Sequence, residues 1–282
     1  MTRTTGRSSQ ALTYLVLAAG SVIMLTPLAW MLLTSLKSYE EVIASPPPFF
    51  PARANWQNYP EALTTFDFGR YVVNSLLIAA LSILGTLISC SMAAYAFVCL
   101  DARGKNLLFA LLLSTMMLPG QVTVVPLFRL FVELGWVNTW FPLIVPSWLG
   151  TNVFGIFLLR QFFAAIPRDY VEAARMDGAS ELRILGTIFL PLSRPVLLTI
   201  TVFSFIGSWN DLWGPLIYIH DDRLATMPVG LLNFIGVSWR AQGSPWHLVM
   251  AVSTIMMIPI VILFFVAQKR FIEGIATSGI KG

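Results

Sequence analysis

Residues 170–195 read YVEAARMDGASELRILGTIFLPLSRP, the one polar, periodic, helix-forming stretch in a chain that is otherwise largely apolar. Pro167, just upstream, stands where a first-turn proline is tolerated, and Asp169 and Glu172 lie near the positive end of a helix dipole. Strong helix formers run from Glu172 to Met176, and Gly178 can take the left-handed conformation that ends a helix. Ser180 can cap a second helix, expected from Glu181 to Leu190 and halted at Pro191. The motif expected here is helix, sharp turn, helix.

Around this stretch the chain turns oily. Of its 282 residues 56% are hydrophobic and 11% charged, with a mean hydropathy of +0.74; soluble domains carry about 25% charged residues. Apolar runs long enough to span a bilayer recur, and six spans are expected at 12–34, 73–98, 107–131, 141–165, 196–219 and 248–267. Arg3 and Arg7 precede the first, whose apolar run is too long for a cleavable signal core and reads as a retained helix. An even number of spans puts both ends on one side. With those ends in the cytoplasm, twelve of the eighteen Lys and Arg fall inside, as the positive-inside bias requires. That assignment also puts 168–191 in the cytoplasm.

The spacing within the polar stretch carries a resemblance. Glu172-Ala173-Ala174, three residues, Gly178, nine residues, then Ile188-Phe189-Leu190-Pro191 reproduces the pattern EAA-x3-G-x9-I-x-LP. The chain thereby resembles the permease subunits of carbohydrate-type ABC importers, in particular the smaller membrane subunit of maltose-type systems. The resemblance implies an all-α integral membrane protein of the cell membrane: a single transmembrane domain over 1–282, with six transmembrane helices and a cytoplasmic coupling-helix loop. It implies four kinds of neighbour: a homologous second permease subunit, an ATP-binding cassette ATPase dimer that holds ATP and Mg, an extracytoplasmic solute-binding protein, and membrane lipid. The chain itself would hold no cofactor or metal and catalyse no reaction. Glu172, Ala173, Ala174, Asp177, Gly178, Leu190 and Pro191 would transmit motion from the ATPase. Phe271, Gly274, Gly279 and Lys281, in a tail resembling the family's ending, would reach the ATPase interface. The implied cargo is a sugar or oligosaccharide, with a polyol or glycerol-phosphate-type solute as the alternative.

Other features are read beside that resemblance. Gly85, Ser89 and Ala93 recur every four residues and suit close approach of another helix, in this subunit or its partner. Pro119-Gly120, Pro126, Pro142, Pro146, Gly150 and Gly155 put helix breakers at membrane depth. Such breaks mark either a translocation path or kinks that fit the bundle together. Asn152, Gly155, Asn210 and Asp211 are the candidates for that path; Asp211 has the rival reading of an interface residue among Trp anchors. The loop 38–70, with Pro46-Pro47-Pro48, reads both as an ordered loop on the membrane surface and as a contact for the solute-binding protein, and the segment 220–247, a loop with a short helix, could reach the same protein. Trp30, Trp136, Trp140, Trp239 and Trp246 fall near expected membrane borders, where aromatic belts form. Cys90 and Cys99, about 13 Å apart along one helix, are read as packing residues that do not pair.

What the sequence lacks also narrows the reading. No Gly-x4-Gly-Lys-Ser/Thr phosphate loop, HExxH or GxSxG occurs. The net charge of +4 is not gathered into a nucleic-acid patch. A stand-alone secondary transporter would need ionisable pairs near the midplane and internal repeats, and Asp211 alone is a poor basis for one.

Overall fold

The computed structural model describes residues 7–65, 67–242 and 245–278, and among these the regular structure is helical throughout, with no strand. α1 (Arg7–Ser35) has 29 residues, about 43 Å at 1.5 Å per residue, which exceeds the hydrocarbon core of about 30 Å. Within it the Ser21 and Thr26 hydroxyls donate to the carbonyls of Leu17 (2.8 Å) and Val22 (2.7 Å), so these two are paired within the helix. Two short helices, α2 (Tyr39–Ile43) and α3 (Asn58–Thr65), lead to α4 (Phe68–Cys99). Then follow α5 (Lys105–Ser114), α6 (Gly120–Glu133), α7 (Phe141–Trp148), α8 (Val153–Ala164) and α9 (Arg168–Met176). α10 (Glu181–Ile184) runs through a π turn (Leu185–Phe189) into α11 (Leu190–Leu192). The last elements are α12 (Arg194–Trp209), α13 (Trp213–Tyr218), α14 (Met227–Gln242) and α15 (Trp246–Ser278).

Among the described residues four segments, Gln10–Ser35, Phe68–Cys99, Phe141–Ala164 and Trp246–Val266, are each long and apolar enough to cross a membrane. Two bent pairs, Lys105–Met117 with Gly120–Glu133 and Glu181–Leu192 with Arg194–Trp209, raise the number to six if each is one span. The chain is an all-α membrane protein.

The structure departs from the sequence expectation at several joints. The third expected span is bent by 101° at Leu118 and Pro119. Leu118 is extended (φ −79°, ψ 121°), the conformation a following proline enforces by crowding the α region. Pro191 does not stop its helix. The π turn just before it widens the ladder, and a wider turn relieves the clash and missing donor that a proline brings. The break comes instead at Ser193 (φ −93°, ψ 11°), ahead of Pro195 in the first turn of α12, with an 82° bend. α12 in turn ends at Trp209 rather than running to 219. The segment after 220 is mostly helix: Pro228 occupies an early helical position in the sixteen-residue α14.

The chain forms two compact units, Met1–Phe68 with Leu231–Ile258, and Gly69–Gly230 with Pro259–Gly282. The first is knotted around Asn58. Its amide nitrogen donates to the carbonyls of Ser35 and Lys37, both at 2.8 Å, and its amide oxygen accepts from Asn55 at 2.9 Å. Ser38 and Glu41 form a capping box at the start of α2, and Glu41 also accepts from Ala52 N–H at 2.6 Å. The loop after α1 is therefore built on specific polar pairs.

The second unit packs Cys90, Ala94 and Tyr95 of α4 against Ile156, Leu159 and Phe163 of α8, with Val171, Ile184, Phe189 and Ile200 completing the core. The small-residue stripe of α4 has its partner inside this chain. A Cβ at Gly85 would collide with the Trp148 indole of α7, while Ser82 and Ser89 donate to the carbonyls of Leu143 (3.1 Å) and Ser147 (2.8 Å). Cys90 and Cys99 are both free thiols.

Candidate functional site: the loop around Gly178

α9 ends in a left-handed cap of Schellman type. Gly178 has φ +76°, its N–H donates to Arg175 O, and Ala179 N–H donates to Ala174 O, both at 3.0 Å. These two bonds satisfy carbonyls that the helix end would otherwise leave open. Ala174 and Ala179, which flank the turn, both pack against the apolar core. Ser180 then caps α10, its hydroxyl accepting from Arg183 N–H at 3.4 Å. The two helices thus meet across a turn with one backbone solution.

A polar clamp fastens that turn to the end of α4. Arg175 Nε donates to Glu181 Oε1 at 2.9 Å and Arg175 Nη2 to Glu181 Oε2 at 3.2 Å. Arg175 Nη2 also donates to the Cys99 carbonyl at 3.3 Å, and the Tyr95 hydroxyl donates to Glu181 Oε2. The Arg175 guanidinium first, and then the Tyr95 hydroxyl, hold the Glu181 carboxyl below the usual carboxylate range. Beneath the clamp Val171 is buried, and Tyr95 and Phe163 each meet the Phe189 ring edge-on at 5.1 and 4.9 Å. A cleft of about 200 Å³ runs beside α9, lined in part by Asp101, Arg168, Glu172 and Arg175.

The opposite face of α9 is bare. Tyr170, Ala173 and Met176, three residues apart and so on one helix face, are all exposed, Met176 at 88%. Glu172, Asp177, Gly178 and Pro191 are exposed too, whereas Ala174 and Leu190 are half-buried against the core. The coupling candidates therefore divide: Glu172, Ala173, Asp177, Gly178 and Pro191 present outward, and Ala174 and Leu190 pin the loop inward. Of the tail candidates, Phe271 and Gly274 lie on the backbone of α15, and Gly279 and Lys281 fall outside the described residues.

The four path candidates each serve a local joint or helix end. Asn152 caps α8, accepting from Gly155 N–H at 2.8 Å, and a Cβ at Gly155 would lie 3.0 Å from Cys90 Sγ. Both therefore serve the joint between α8 and α4. Asn210 turns back to the Ile206 carbonyl at 3.0 Å. Asp211, just ahead of α13, accepts from Gly214 N–H in its first turn at 3.1 Å and lines a pocket of about 180 Å³ with Ser75, Ser82, Ser208 and Thr226. The Thr226 hydroxyl is buried there without a protein partner. The far wall is fixed by α4, where Asn74 donates to the carbonyls of Arg223 and Ala225 and Ser75 accepts from Met227 N–H, all at 2.9 Å.

Sequence reasoning missed Tyr95, Arg175, Glu181, Ser75 and Thr226. Arg175 and Glu181 do carry a signal, opposite charges on either side of a turn-forming glycine. Tyr95 and Ser75 carry none, because their partners lie 86 and 152 residues away, and Thr226 carries none, because only the fold brings it to the pocket.

Residues 85–276 match a family described as the binding-protein-dependent transport system inner membrane component. The chain is 35% identical over 264 residues to the trehalose/maltose transport system permease protein MalG of Thermococcus litoralis, covering 93% of each. It is 29% identical over 277 residues to the sn-glycerol-3-phosphate transport system permease protein UgpE of Brucella abortus, covering 96% of this chain and 97% of the other. Among solved structures it resembles a bacterial ABC transporter involved in the import of the acidic polysaccharide alginate, at 25% identity and a TM-score of 0.82 over 94% of this chain and 98% of that one.

Proposed function

Since this chain belongs to the family of binding-protein-dependent transport system inner membrane components, we propose that it is one of two permease subunits of an ABC importer that carries a sugar or oligosaccharide into the cytoplasm. As a member of that family it is a non-catalytic membrane subunit. In this reading both termini and the loop around Gly178 are cytoplasmic, ATP and Mg are held by a separate ATPase dimer, and an extracytoplasmic protein delivers the solute.

The observation that carries the proposal is the clamped loop. A lever must resist bending at its joint and offer a surface to its driver. The Gly178 turn with the Arg175–Glu181–Tyr95 clamp supplies the first, and the bare Tyr170, Ala173, Met176 face with Glu172 beside it supplies the second. Closure of an ATPase dimer on ATP would draw α9 with it, and the clamp would pass that displacement to α4. Binding energy then shifts the population of inward- and outward-open states.

The cargo follows from the relatives and from the Asp211 pocket. The first relative named is a trehalose/maltose permease and the solved neighbour is involved in the import of an acidic polysaccharide, so they agree on carbohydrate but not on charge. The pocket offers hydroxyls and one carboxylate, and none of its lining residues is cationic. At about 180 Å³ it is too small to enclose a disaccharide, so it would hydrogen-bond one edge of a passing neutral polyhydroxyl solute, and it gives a phosphate nothing to pair with. The likeness to a glycerol-3-phosphate permease makes that solute the second reading.

The test is reconstitution of the whole complex in proteoliposomes with Glu172→Lys in this chain. Uptake per ATP hydrolysed should fall by about tenfold or more, the scale of a coupling free energy of 1–3 kcal/mol, while the complex still assembles. Unchanged uptake per ATP would overturn the coupling role, and uptake without ATP would overturn the importer class.

A further inference from the structure

Lys37, two residues past the end of α1, is 0% exposed. Lysine is almost never fully buried without a counter-charge, yet among the described residues no carboxylate stands within ion-pair distance of it. The ammonium lies over the Trp30 ring, 4.0 Å from its centroid, and its one protein acceptor is the Thr34 hydroxyl at a long 3.4 Å. The nearby Glu41 carboxylate is already committed to the Ser38 and Ala52 N–H groups at 2.8 and 2.6 Å. Burial pushes the ammonium below its ordinary range, and Glu41 pulls it back. Two of its three N–H bonds have no acceptor among the described residues.

Beside it lies a cavity of about 320 Å³, walled by Trp30, Val42, Pro47, Trp246 and Met250 along with Lys37 and Thr34. That volume is at the lower end of small-ligand sites, about 300–1,000 Å³. Apart from one cation, one hydroxyl and two indole N–H groups the lining side chains are carbon and sulfur, so a solute rich in hydroxyls finds few partners, whereas an anionic amphiphile finds both of its halves met. The position agrees. The C-terminal end of α1 and the N-terminal end of α15 share this cavity, so they stand at one membrane border, with an indole from each where headgroups lie. Leu25, Leu28 and Leu32 of α1 are exposed just before it and offer an acyl chain its contact.

We propose that this cavity is a phospholipid site, in which a lipid phosphate at the cavity mouth draws the Lys37 ammonium off the Trp30 ring to donate to it, and the acyl chains run down the exposed leucines of α1. The site shares no residue with the coupling loop and stands whether or not the transport reading does.

The test uses the full complex, purified and delipidated in detergent, with phosphatidylglycerol added back and bound lipid counted by native mass spectrometry. Wild type should keep one lipid more per copy of this chain than Lys37→Met, whose affinity falls about tenfold or more with the loss of a charge-assisted hydrogen bond. Lys37→Arg should keep it. Val42→Trp, which leaves the charge and fills the cavity, should lose it, and these two variants decide the matter if Lys37→Met fails to assemble. Equal retention by wild type and Val42→Trp would overturn the proposal. Displacement of the lipid by millimolar inorganic phosphate would show a free-anion site and overturn it as well, and equal retention of diacylglycerol would show that the phosphate is not read.

Discussion

The two sharp breaks in the helical path, at Leu118–Pro119 and at Ser193, differ in what stands behind them. The second is backed by the chain itself: Ser193 is buried, Phe189 and Ile200 close the core on either side, and the clamped loop lies immediately upstream. The first has a bare outer surface. Met117 is 84% exposed and Val125 76%, and α5 and α6 are held mainly at their far ends, by Phe109 against Phe97 and by Phe131 against Trp136 and Tyr218. One break is a finished joint that can carry force. The other presents apolar surface that lipid or a second subunit has to cover.

If the joint near Ser193 carries force, stiffness at Gly178 is the property to destroy, and the largest effect is expected there. A β-branched residue cannot hold φ +76° without strain of about 1–3 kcal/mol. Gly178→Val should unwind the turn and cut uptake by more than about tenfold, with ATP hydrolysis continuing unlinked to transport. Simultaneous uptake and hydrolysis assays in proteoliposomes check this, and normal uptake would mean that the loop carries no force.

The bare break is attacked with charge. Val125→Lys puts an ammonium on the exposed face of α6, a change that costs about 2.5–3.5 kcal/mol on insertion scales if the residue lies at mid-membrane. Membrane-integrated, assembled complex should drop several-fold in quantitative co-purification. Full assembly would show that this face meets water, and the contrast between the two breaks would then need another explanation.

How far the sequence showed this contrast depends on the range of the forces involved. Gly178, Ser180 and the Glu172–Met176 helix were readable because caps and left-handed turns are written in neighbouring residues. The helical, membrane-crossing character was readable because apolar run length alone determines it. The clamp was hidden, since Tyr95 reaches Glu181 only after α4 and α10 have packed. Bend angles were hidden for a related reason: Pro119 announces a break, but the 101° turn is set by what each half packs against. Pro191 misled outright, because a π turn absorbs a proline that local rules treat as a stop. Asp211 was found as an anomaly in the hydrophobic pattern, while Ser75 and Thr226, which share its pocket, look like ordinary membrane-helix residues.

A smaller effect tests the clamp alone. The Glu181 carboxyl holds its proton less tightly in the folded loop than in an unfolded chain, with Arg175 the main cause. Its contribution is therefore complete above the unfolded carboxyl value of about 4.3 and is lost as pH falls through the lower folded value. Backbone hydrogen exchange over 170–185, corrected for intrinsic rates, should speed up between pH 5 and pH 3 in wild type. Glu181→Gln should exchange faster at pH 5 already and show little further change. Equal protection at both pH values in wild type would mean that the clamp adds nothing in solution, as partly exposed pairs often do.

The smallest effect is expected inside the finished joint. Ser193 is fully buried and its hydroxyl oxygen has no partner, although its backbone N–H donates to the carbonyls of Phe189 (3.0 Å) and Leu190 (3.2 Å). The bend therefore rests on the main chain and on Pro195, and the side chain adds only a desolvated hydroxyl. Removing such a group costs little and can help, because an unpaired buried polar atom is itself a penalty of about 1–3 kcal/mol. Ser193→Ala should leave uptake unchanged and keep the melting temperature of the detergent-purified complex at or above wild type. A clear loss of stability would show that the hydroxyl has a partner in the membrane, and the joint would then depend on its neighbours as the α5–α6 break does.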